Sequence, residues 1–210
     1  MERRISRSPE TELLLGKDSP VKNYYEDLAI NLIALGEIGT VVVTSPETGA
    51  GCTSVCLGLA GAFVGLERRV AVVDCNLREP KLHAVLGEPN FVGLTSGLSG
   101  ERPLSDYGRE VAPGLLVVTT GPVSPSSVTV ARRRVFVEAV KGLERDRDIV
   151  ILDAPVVAET VATPGLARGF GGILLVVHAQ KTSKKAAREA ANTLHHAGAE
   201  VLGVVLNGCP

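Results

Sequence analysis

The feature that most constrains this 210-residue chain is a series of six short runs rich in apolar, β-branched residues. The runs do not alternate between apolar and polar positions, which is typical of strands covered on both faces in a parallel sheet. They cover residues 40–45, 70–75, 115–121, 148–155, 172–179 and 201–207. Helical patterns lie between them at 53–66, 130–143 and 184–197, and an amphipathic pattern at 21–37 precedes them. This alternation predicts an α/β fold, a doubly wound, mainly parallel sheet with helices on both faces.

The length, charge and composition of the chain limit which domains and which classes of partner it can have. Residues 1–19 are polar and charged without an apolar period, which predicts a mobile tail, and residues 20–210 predict a single domain. A net charge of -1 and an aromatic content of 3% argue against nucleic acid as a partner. No apolar run approaches the roughly 18 residues that span a bilayer, and we expect a cytoplasmic location. The four cysteines lack metal-ligand spacing and are expected to be free thiols.

The loop after the first run, TSPETGAGCTS at 44–54, has the composition of a phosphate-binding loop. Glycines let backbone amides wrap a phosphate, and the N-terminus of the following helix adds positive partial charge. Thr53 supplies the hydroxyl with which such loops hold magnesium. The predicted binding residues are Gly49, Ala50, Gly51, Cys52, Thr53 and Ser54. The alternative is a glycine-rich turn that joins a strand to a helix and binds nothing.

Cys52 occupies the position at which the phosphate-loop pattern has a lysine. Replacing an ammonium by a thiol removes a charge-assisted hydrogen bond worth about 1.5–3 kcal/mol. The loss is larger in a phosphoryl-transfer transition state, where fixed cations meet the developing charge. We therefore expect the loop to hold an anion but to catalyse poorly. A second interpretation is a modifiable thiol, because a helix N-terminus lowers the pKa of a cysteine.

Two further runs end in aspartates, Asp74 and Asp153, and parallel strands present their carboxyl ends at one edge of a sheet. Four apolar residues before Asp153 match the pattern of a magnesium-side carboxylate. Asp74 is suited to holding magnesium through water or to accepting a proton, and its alternative role is that of a turn former. We predict Asp74 and Asp153 as catalytic residues, and both of them together with Thr53 as metal ligands.

Seven motifs in order give the chain a family resemblance. They are SPVKNYYEDLAIN (19–31), TSPETGAGCTS (44–54), DCNLREPKLH (74–83), GLTSGLSG (93–100), TTGPVSPSSV (119–128), VILDAPV (150–156) and GVVLN (203–207). In this combination the chain resembles the bacterial tyrosine kinases (BY-kinases) of capsular and exopolysaccharide systems. That family lies within the deviant-Walker P-loop ATPases that include the Min and Par proteins, so the resemblance implies a P-loop NTPase fold.

The resemblance also implies cofactors, partners and site residues. It implies ATP and magnesium as cofactors, with Thr53, Asp74 and Asp153 at the magnesium and catalytic positions and Asn207 beside the nucleotide base. Members phosphorylate tyrosines and control polysaccharide polymerisation and export with a membrane-bound activator. The implied partners are therefore a membrane polysaccharide co-polymerase or activator, an active kinase paralogue, or further copies of the chain, and a partner would recruit this chain to the inner face of the membrane.

The sequence departs from the family pattern at several positions that serve different requirements. Cys52 replaces the loop lysine, and Asn76 replaces the second acid of the D-x-D motif. The oligomerisation pattern is reduced to Asn23, Glu26 and Ala29, so we expect no large ring from this chain alone. The three tyrosines, Tyr24, Tyr25 and Tyr107, form no tail cluster.

These departures favour a pseudokinase that regulates polysaccharide production and uses ATP weakly or not at all. The alternatives are an active ATP-dependent tyrosine kinase, for which Arg78 or Lys81 would compensate for the missing lysine, and a Min/Par-like ATPase switch. The last requires a signature lysine near the start of the loop, and residues 44–54 contain none.

Overall fold

The structure, a computed structural model, describes residues 20–36, 38–124, 134–161, 166 and 168–209. Its strands are β1 (Thr40–Thr44), β2 (Val70–Asp74), β3 (Arg109–Ala112), β4 (Leu115–Val118), β5 (Ile149–Asp153), β6 (Gly172–His178) and β7 (Val201–Asn207). Its helices are α1 (Lys22–Ala34), α2 (Cys52–Gly65), α3 (Leu82–Leu86), α4 (Leu94–Ser99), α5 (Arg134–Leu143), α6 (Val157–Val161) and α7 (Lys184–His196), with a 3₁₀ turn at Leu104–Tyr107. The predicted tail at 1–19 lies outside the described residues.

The strands form one seven-stranded sheet in the order β3-β4-β2-β5-β1-β6-β7. Every neighbouring pair is parallel except β3–β4. The six predicted runs are strands in the structure, with ends that shift by up to three residues. The predicted mainly parallel sheet is therefore confirmed, and the carboxyl ends of β1, β2 and β5 lie side by side.

Two buried clusters, one on each face of the sheet, confirm that helices cover both faces. One contains Phe136 of α5 and Leu194 of α7. The other contains Leu32 of α1 and Phe63 of α2. The strands β1, β2, β4 and β5 are buried along their whole length, as their uninterrupted apolar runs predict.

Both edges of the sheet differ from the sequence prediction. The antiparallel edge strand β3 was not predicted, because its REVA sequence is short, half charged and largely exposed. At the other edge, β7 reads as a strand covered on both faces, yet Val204 and Leu206 are 61% and 59% exposed. An edge strand has only one strand neighbour, and β6, which has two, is buried over six of its seven residues, whereas no residue of β7 is fully buried.

The first helix is shorter than its predicted range of 21–37. It ends at Ala34, which leaves Leu35 60% exposed although the helical pattern counts it as part of the apolar face. Within the described residues, no helix combines the length and the apolar character required to cross a membrane.

Helix α1 packs on α2 through a close contact between the Tyr25 ring and Gly58. A Cβ at Gly58 would overlap this ring, whereas a Cβ at Gly65, in the same helix, would meet nothing within 4 Å. Gly58→Ala is expected to lower the free energy of unfolding by about 1–3 kcal/mol through overpacking. Gly65→Ala is the matched control and should raise it by about 0.5–1 kcal/mol, because alanine restricts the unfolded chain. Urea denaturation of both variants checks the pair, and equal effects would contradict the described packing.

Candidate functional site

The candidate site is a cavity of about 220 Å³ at the carboxyl ends of β1 and β5. This is the end of a doubly wound sheet at which ligands bind. Its lining residues come from the β1–α2 loop, the start of α2, the segment after β2 and the end of β5. They are Ser45, Thr48, Gly49, Ala50, Gly51, Cys52, Thr53, Ser54, Asn76, Glu79, Lys81, Val85, Asp153, Ala154 and Val156.

All six predicted phosphate-loop residues line this cavity, together with Asp153. A larger cavity, of about 660 Å³, lies at the opposite end of the sheet under α1. Its lining is mainly apolar, with Leu32, Phe63 and Ile149, and it holds none of the predicted site residues. The smaller cavity is the candidate site because it brings loop amides and a carboxylate together.

The loop depends on two glycines and on a contact from β7. Gly49 and Gly51 have φ values of 79° and 93°, which other residues rarely adopt. The Asn207 side chain donates from Nδ2 to the carbonyl oxygen of Ala50 at 3.0 Å. A Cβ at Gly51 would overlap that Asn207 amide, so glycine is required there for space as well as for φ. In this structure Asn207 holds the loop, and its predicted place beside a nucleotide base stays a prediction.

Asp74 and Asp153 are direct register partners at the ends of the neighbouring strands β2 and β5. The Thr53 hydroxyl donates to Asp153 Oδ2 at 2.6 Å, which joins the loop helix to β5. Asp74 accepts backbone N–H groups from Asn76 at 3.1 Å, Lys81 at 3.2 Å and Leu82 at 3.1 Å. These are the contacts of a turn former, so Asp74 shapes the turn before α3 even without a ligand. Its predicted catalytic and metal roles stay predictions.

Burial and mutual repulsion shift both acids toward their neutral forms. The pKa of Asp153 is raised to about 8, mainly by burial and also by the Asp74 charge, while the Thr53 hydrogen bond and the Lys81 charge oppose the shift. Burial likewise raises the pKa of Asp74 to about 6, against the lowering effect of its three backbone hydrogen bonds. Two carboxylates this close are costly to ionise together in a buried site. The Asp74–Asp153 pair of the ligand-free site is therefore shifted toward a protonated form.

The expectation that the helix N-terminus activates the Cys52 thiol is wrong. The pKa of Cys52 is raised to about 12, mainly by burial and also by the Asp153 charge. A hydrogen bond with the Ser45 side chain and the Lys81 charge lower the pKa by less. The loop position that a lysine would fill with positive charge thus carries a neutral thiol.

The other cysteines differ in burial, since Cys56 and Cys75 are buried and Cys209 is exposed. Burial raises the pKa values of Cys56 and Cys75 well above the ordinary value. All four cysteines are free, as predicted. Over the described ranges, no group of three or more histidine, cysteine or acidic side chains is arranged to hold a metal ion.

Lys81 and Arg78 were the candidates to replace the missing lysine, and the structure places only one of them at the cavity. Lys81 lines the cavity, whereas Arg78 pairs with Glu159 on α6 at 3.0 Å and is not among the lining residues. Sequence reasoning missed Ser45, which lines the cavity and donates to the Glu47 carbonyl oxygen at 2.8 Å. The only signal for Ser45 is its place directly after β1.

Most of the site residues suit magnesium and a phosphate group, and Cys52 is the exception. The Thr53 hydroxyl and the carboxylates of Asp74 and Asp153 are oxygen donors of the type that magnesium prefers. The glycine-rich loop before α2 suits a phosphate group. Cys52, in contrast, supplies no charge for the terminal phosphates.

Comparisons with known proteins agree with this geometry. EpsB from Ralstonia nicotianae (strain ATCC BAA-1114 / GMI1000) is 32% identical over 208 residues, which are 98% of this chain and 26% of that protein. The chain therefore spans about a quarter of the length of this relative. Tyrosine-protein kinase YwqD from Bacillus subtilis (strain 168) is 27% identical over 173 residues, 82% of this chain and 73% of that protein. No protein-family model matches the sequence.

Solved structures extend the same likeness. The chimerical protein CapA2B2 superposes with a TM-score of 0.88 at 25% identity, covering 98% of this chain and 92% of that one. The kinase domain of the Escherichia coli tyrosine kinase ETK gives a TM-score of 0.87 at 24% identity, with coverage of 99% and 82%. MinD from Pyrococcus horikoshii OT3, solved with Mg-ADP, gives 0.66 at 24% identity, with coverage of 80% and 69%. The fold is therefore that of the BY-kinase domains and of the MinD-like P-loop ATPases, as the sequence resemblance predicts.

The raised pKa values predict a pH dependence of stability with a definite sign. Carboxyl groups in the unfolded chain titrate near ~3.9, so the native protein binds more protons than the unfolded chain between about pH 4 and the folded pKa values. The stability contribution of Asp74 and Asp153 therefore falls as pH rises through this window and is constant above about pH 8. Asp153→Asn removes the group that loses stability as pH rises, so it should raise the Tm of the ligand-free protein. The gain in Tm should grow from pH 5 to pH 8, and each kcal/mol gained in the free energy of unfolding raises the Tm by roughly 2–4 °C.

Differential scanning calorimetry at several pH values, in the presence of a chelator, measures this gain. The surface variant Asp106→Asn is the control and should follow the wild-type curve. A gain from Asp153→Asn that is absent, or that shrinks as pH rises, would contradict the shifted pKa.

Proposed function

We propose that this chain is a kinase-like regulator of a capsular or exopolysaccharide pathway, with weak or no use of ATP. Its sequence motifs resemble the BY-kinases of such pathways, and the relatives to which it is similar are tyrosine-protein kinases. The observation that carries the proposal is the neutral Cys52 thiol beside two buried carboxylates. The proposed ligand is magnesium-bound ATP, held by the loop residues Gly49–Ser54.

Charge balance supports weak phosphoryl transfer. Asp153 and Glu79 contribute acidic groups to the cavity lining, and no lysine lies within the loop itself. A bound metal ion would supply positive charge next to Thr53, Asp153 and Asp74. The transferred group would still lack the fixed cation that stabilises its developing charge, and such groups are among the largest contributions to phosphoryl-transfer rates.

The proposal includes a protein partner, since a regulator with little chemistry of its own acts through binding. The partner classes are a membrane polysaccharide co-polymerase or activator, an active kinase paralogue, or a further copy of the chain. Exposed apolar side chains on α1 and β7 give such a partner two surfaces, with Ile30 and Leu35 on or beside α1 and Leu206 on β7. Recruitment to the membrane would follow from binding the first of these partners.

An active tyrosine kinase is the second candidate, and one observation favours it. The three proposed magnesium ligands are all present, because Thr53 is hydrogen-bonded to Asp153 and Asp74 is the strand neighbour of Asp153. Tyr24 is 76% exposed and is therefore accessible as a phosphate acceptor. Incubation with radiolabelled ATP and magnesium separates the candidates, because an active kinase labels tyrosine and the proposed regulator does not.

Cys52→Lys is expected to raise the affinity for magnesium–ATP by about tenfold to a hundredfold, since it restores a charge-assisted hydrogen bond to the terminal phosphates. Isothermal titration calorimetry measures the change. Cys52→Met is the matched control, because it fills the same position without charge and should give no gain. If Cys52→Lys binds no better than Cys52→Met, the loop does not have a phosphate-binding shape.

Deletion of the gene in its native host is expected to change the amount or chain length of the secreted polysaccharide. Complementation with Asp153→Asn should restore the wild-type polymer, because the proposed role does not require phosphoryl transfer. Gel analysis of the polymer, with equal protein levels verified by immunoblot, reads the result. Restoration by the wild-type gene but not by Asp153→Asn would favour the active kinase.

A further inference from the structure

We propose that Lys81 is the phosphate-binding cation of this site and takes over, from outside the loop, the role of the lysine that Cys52 replaces. The inference rests on the proposed function, in that the loop binds nucleotide phosphates. It assigns the remaining phosphate affinity to one side chain that lies 29 positions after the loop position in sequence.

The place of Lys81 in the fold supports this assignment. Among the cavity-lining residues in the described part of the chain, Lys81 is the one cationic side chain. It lies in the segment that leads from β2 into α3 and lines the same cavity as the loop residues Gly49–Ser54. A phosphate group bound by this loop would therefore share the cavity with the Lys81 side chain.

The backbone of Lys81 is tied to the acidic centre. Its N–H donates to Asp74 Oδ2 at 3.2 Å, and the next residue, Leu82, donates to the same oxygen at 3.1 Å. Lys81 also directly precedes α3, so its Cα has little freedom to move away from the site. The side chain therefore starts from a point that Asp74 holds in place, and only its flexible stem must adjust to a ligand.

The present partner of Lys81 is one that a polyphosphate would displace. The Lys81 Nζ lies 3.1 Å from Glu79 Oε1, and these two side chains are 45% and 53% exposed. Exposed ion pairs contribute little to stability, so exchanging Glu79 for phosphate oxygens costs little. Arg78 differs in that its partner, Glu159, lies on α6 and its side chain is 65% exposed outside the cavity lining.

Three variants test the assignment by calorimetry with magnesium–ATP. Lys81→Met keeps the aliphatic stem and the backbone hydrogen bond to Asp74 but removes the charge. It should weaken binding by about tenfold or more, the value of one charge-assisted hydrogen bond. Arg78→Met is the matched control at a neighbouring cation and should change affinity by less than about threefold, since an exposed pair contributes little. Lys81→Arg keeps the charge and should restore most of the affinity.

The same change in a Cys52→Lys background identifies the role that Lys81 plays. If Lys81 replaces the loop lysine, restoring that lysine makes Lys81 redundant, and Lys81→Met should then cost much less than in the wild-type chain. Equal losses in both backgrounds would assign Lys81 a separate role and overturn the replacement. Circular dichroism and Tm values of each variant exclude unfolding as the cause of a loss.

Two further outcomes overturn the inference and leave the proposed function standing. One is equal binding by Lys81→Met and Arg78→Met. The other is undetectable binding by the wild-type chain together with tight binding by Cys52→Lys, because Lys81 would then contribute no phosphate affinity. If Cys52→Lys also fails to bind, the phosphate loop itself is refuted, and the proposed function fails together with the inference.

Discussion

The carboxylates of Asp74 and Asp153 are adjacent in the sheet, at the ends of two buried parallel strands. Placing two acids side by side away from water is costly, and the surrounding structure reduces the cost in three ways. Thr53 at the start of α2 donates to Asp153, backbone amides from the turn before α3 converge on Asp74, and protonation removes part of the charge. The positions of α2 and α3 are therefore linked to these two side chains.

The same pair explains why the identity of residue 52 matters. A lysine there would both compensate the negative charge of the carboxylates and bind the phosphates of a ligand. The thiol that stands there is half-buried, and its pKa lies far above neutral pH, so it can do neither. For a bound phosphate group, positive charge would come from a metal ion beside Thr53 and from Lys81, which line the same cavity. Both sources are less rigidly fixed than a loop lysine, which is consistent with binding that exceeds catalysis.

Much of the fold and the outline of the site could be predicted from sequence, because both depend on local patterns. Uninterrupted apolar runs marked β1, β2, β4 and β5, and the order of glycines, Thr53 and the two aspartates located the cavity. Patterns that depend on the rest of the molecule were harder to interpret. The polar strand β3 exists because β4 offers it an edge, and the exposure of β7 follows from its place in the sheet. The rule that a helix N-terminus lowers the pKa of a thiol takes no account of burial, which raises the pKa of Cys52. The choice of Lys81 over Arg78 required the position of Glu159, the ion-pair partner of Arg78.

The central claim is that the site contains two buried acids without a fixed loop cation. A ¹³C NMR titration of the Asp153 carboxyl group, assigned by comparison with Asp153→Asn, measures this most directly. In the ligand-free wild-type protein this carboxyl should titrate near pH 8, and Cys52→Lys should lower its pKa, because a nearby ammonium favours the ionised form. An Asp153 carboxyl that titrates near the ordinary value of ~3.9 in both proteins would show that its charge is already compensated, and the account would be wrong.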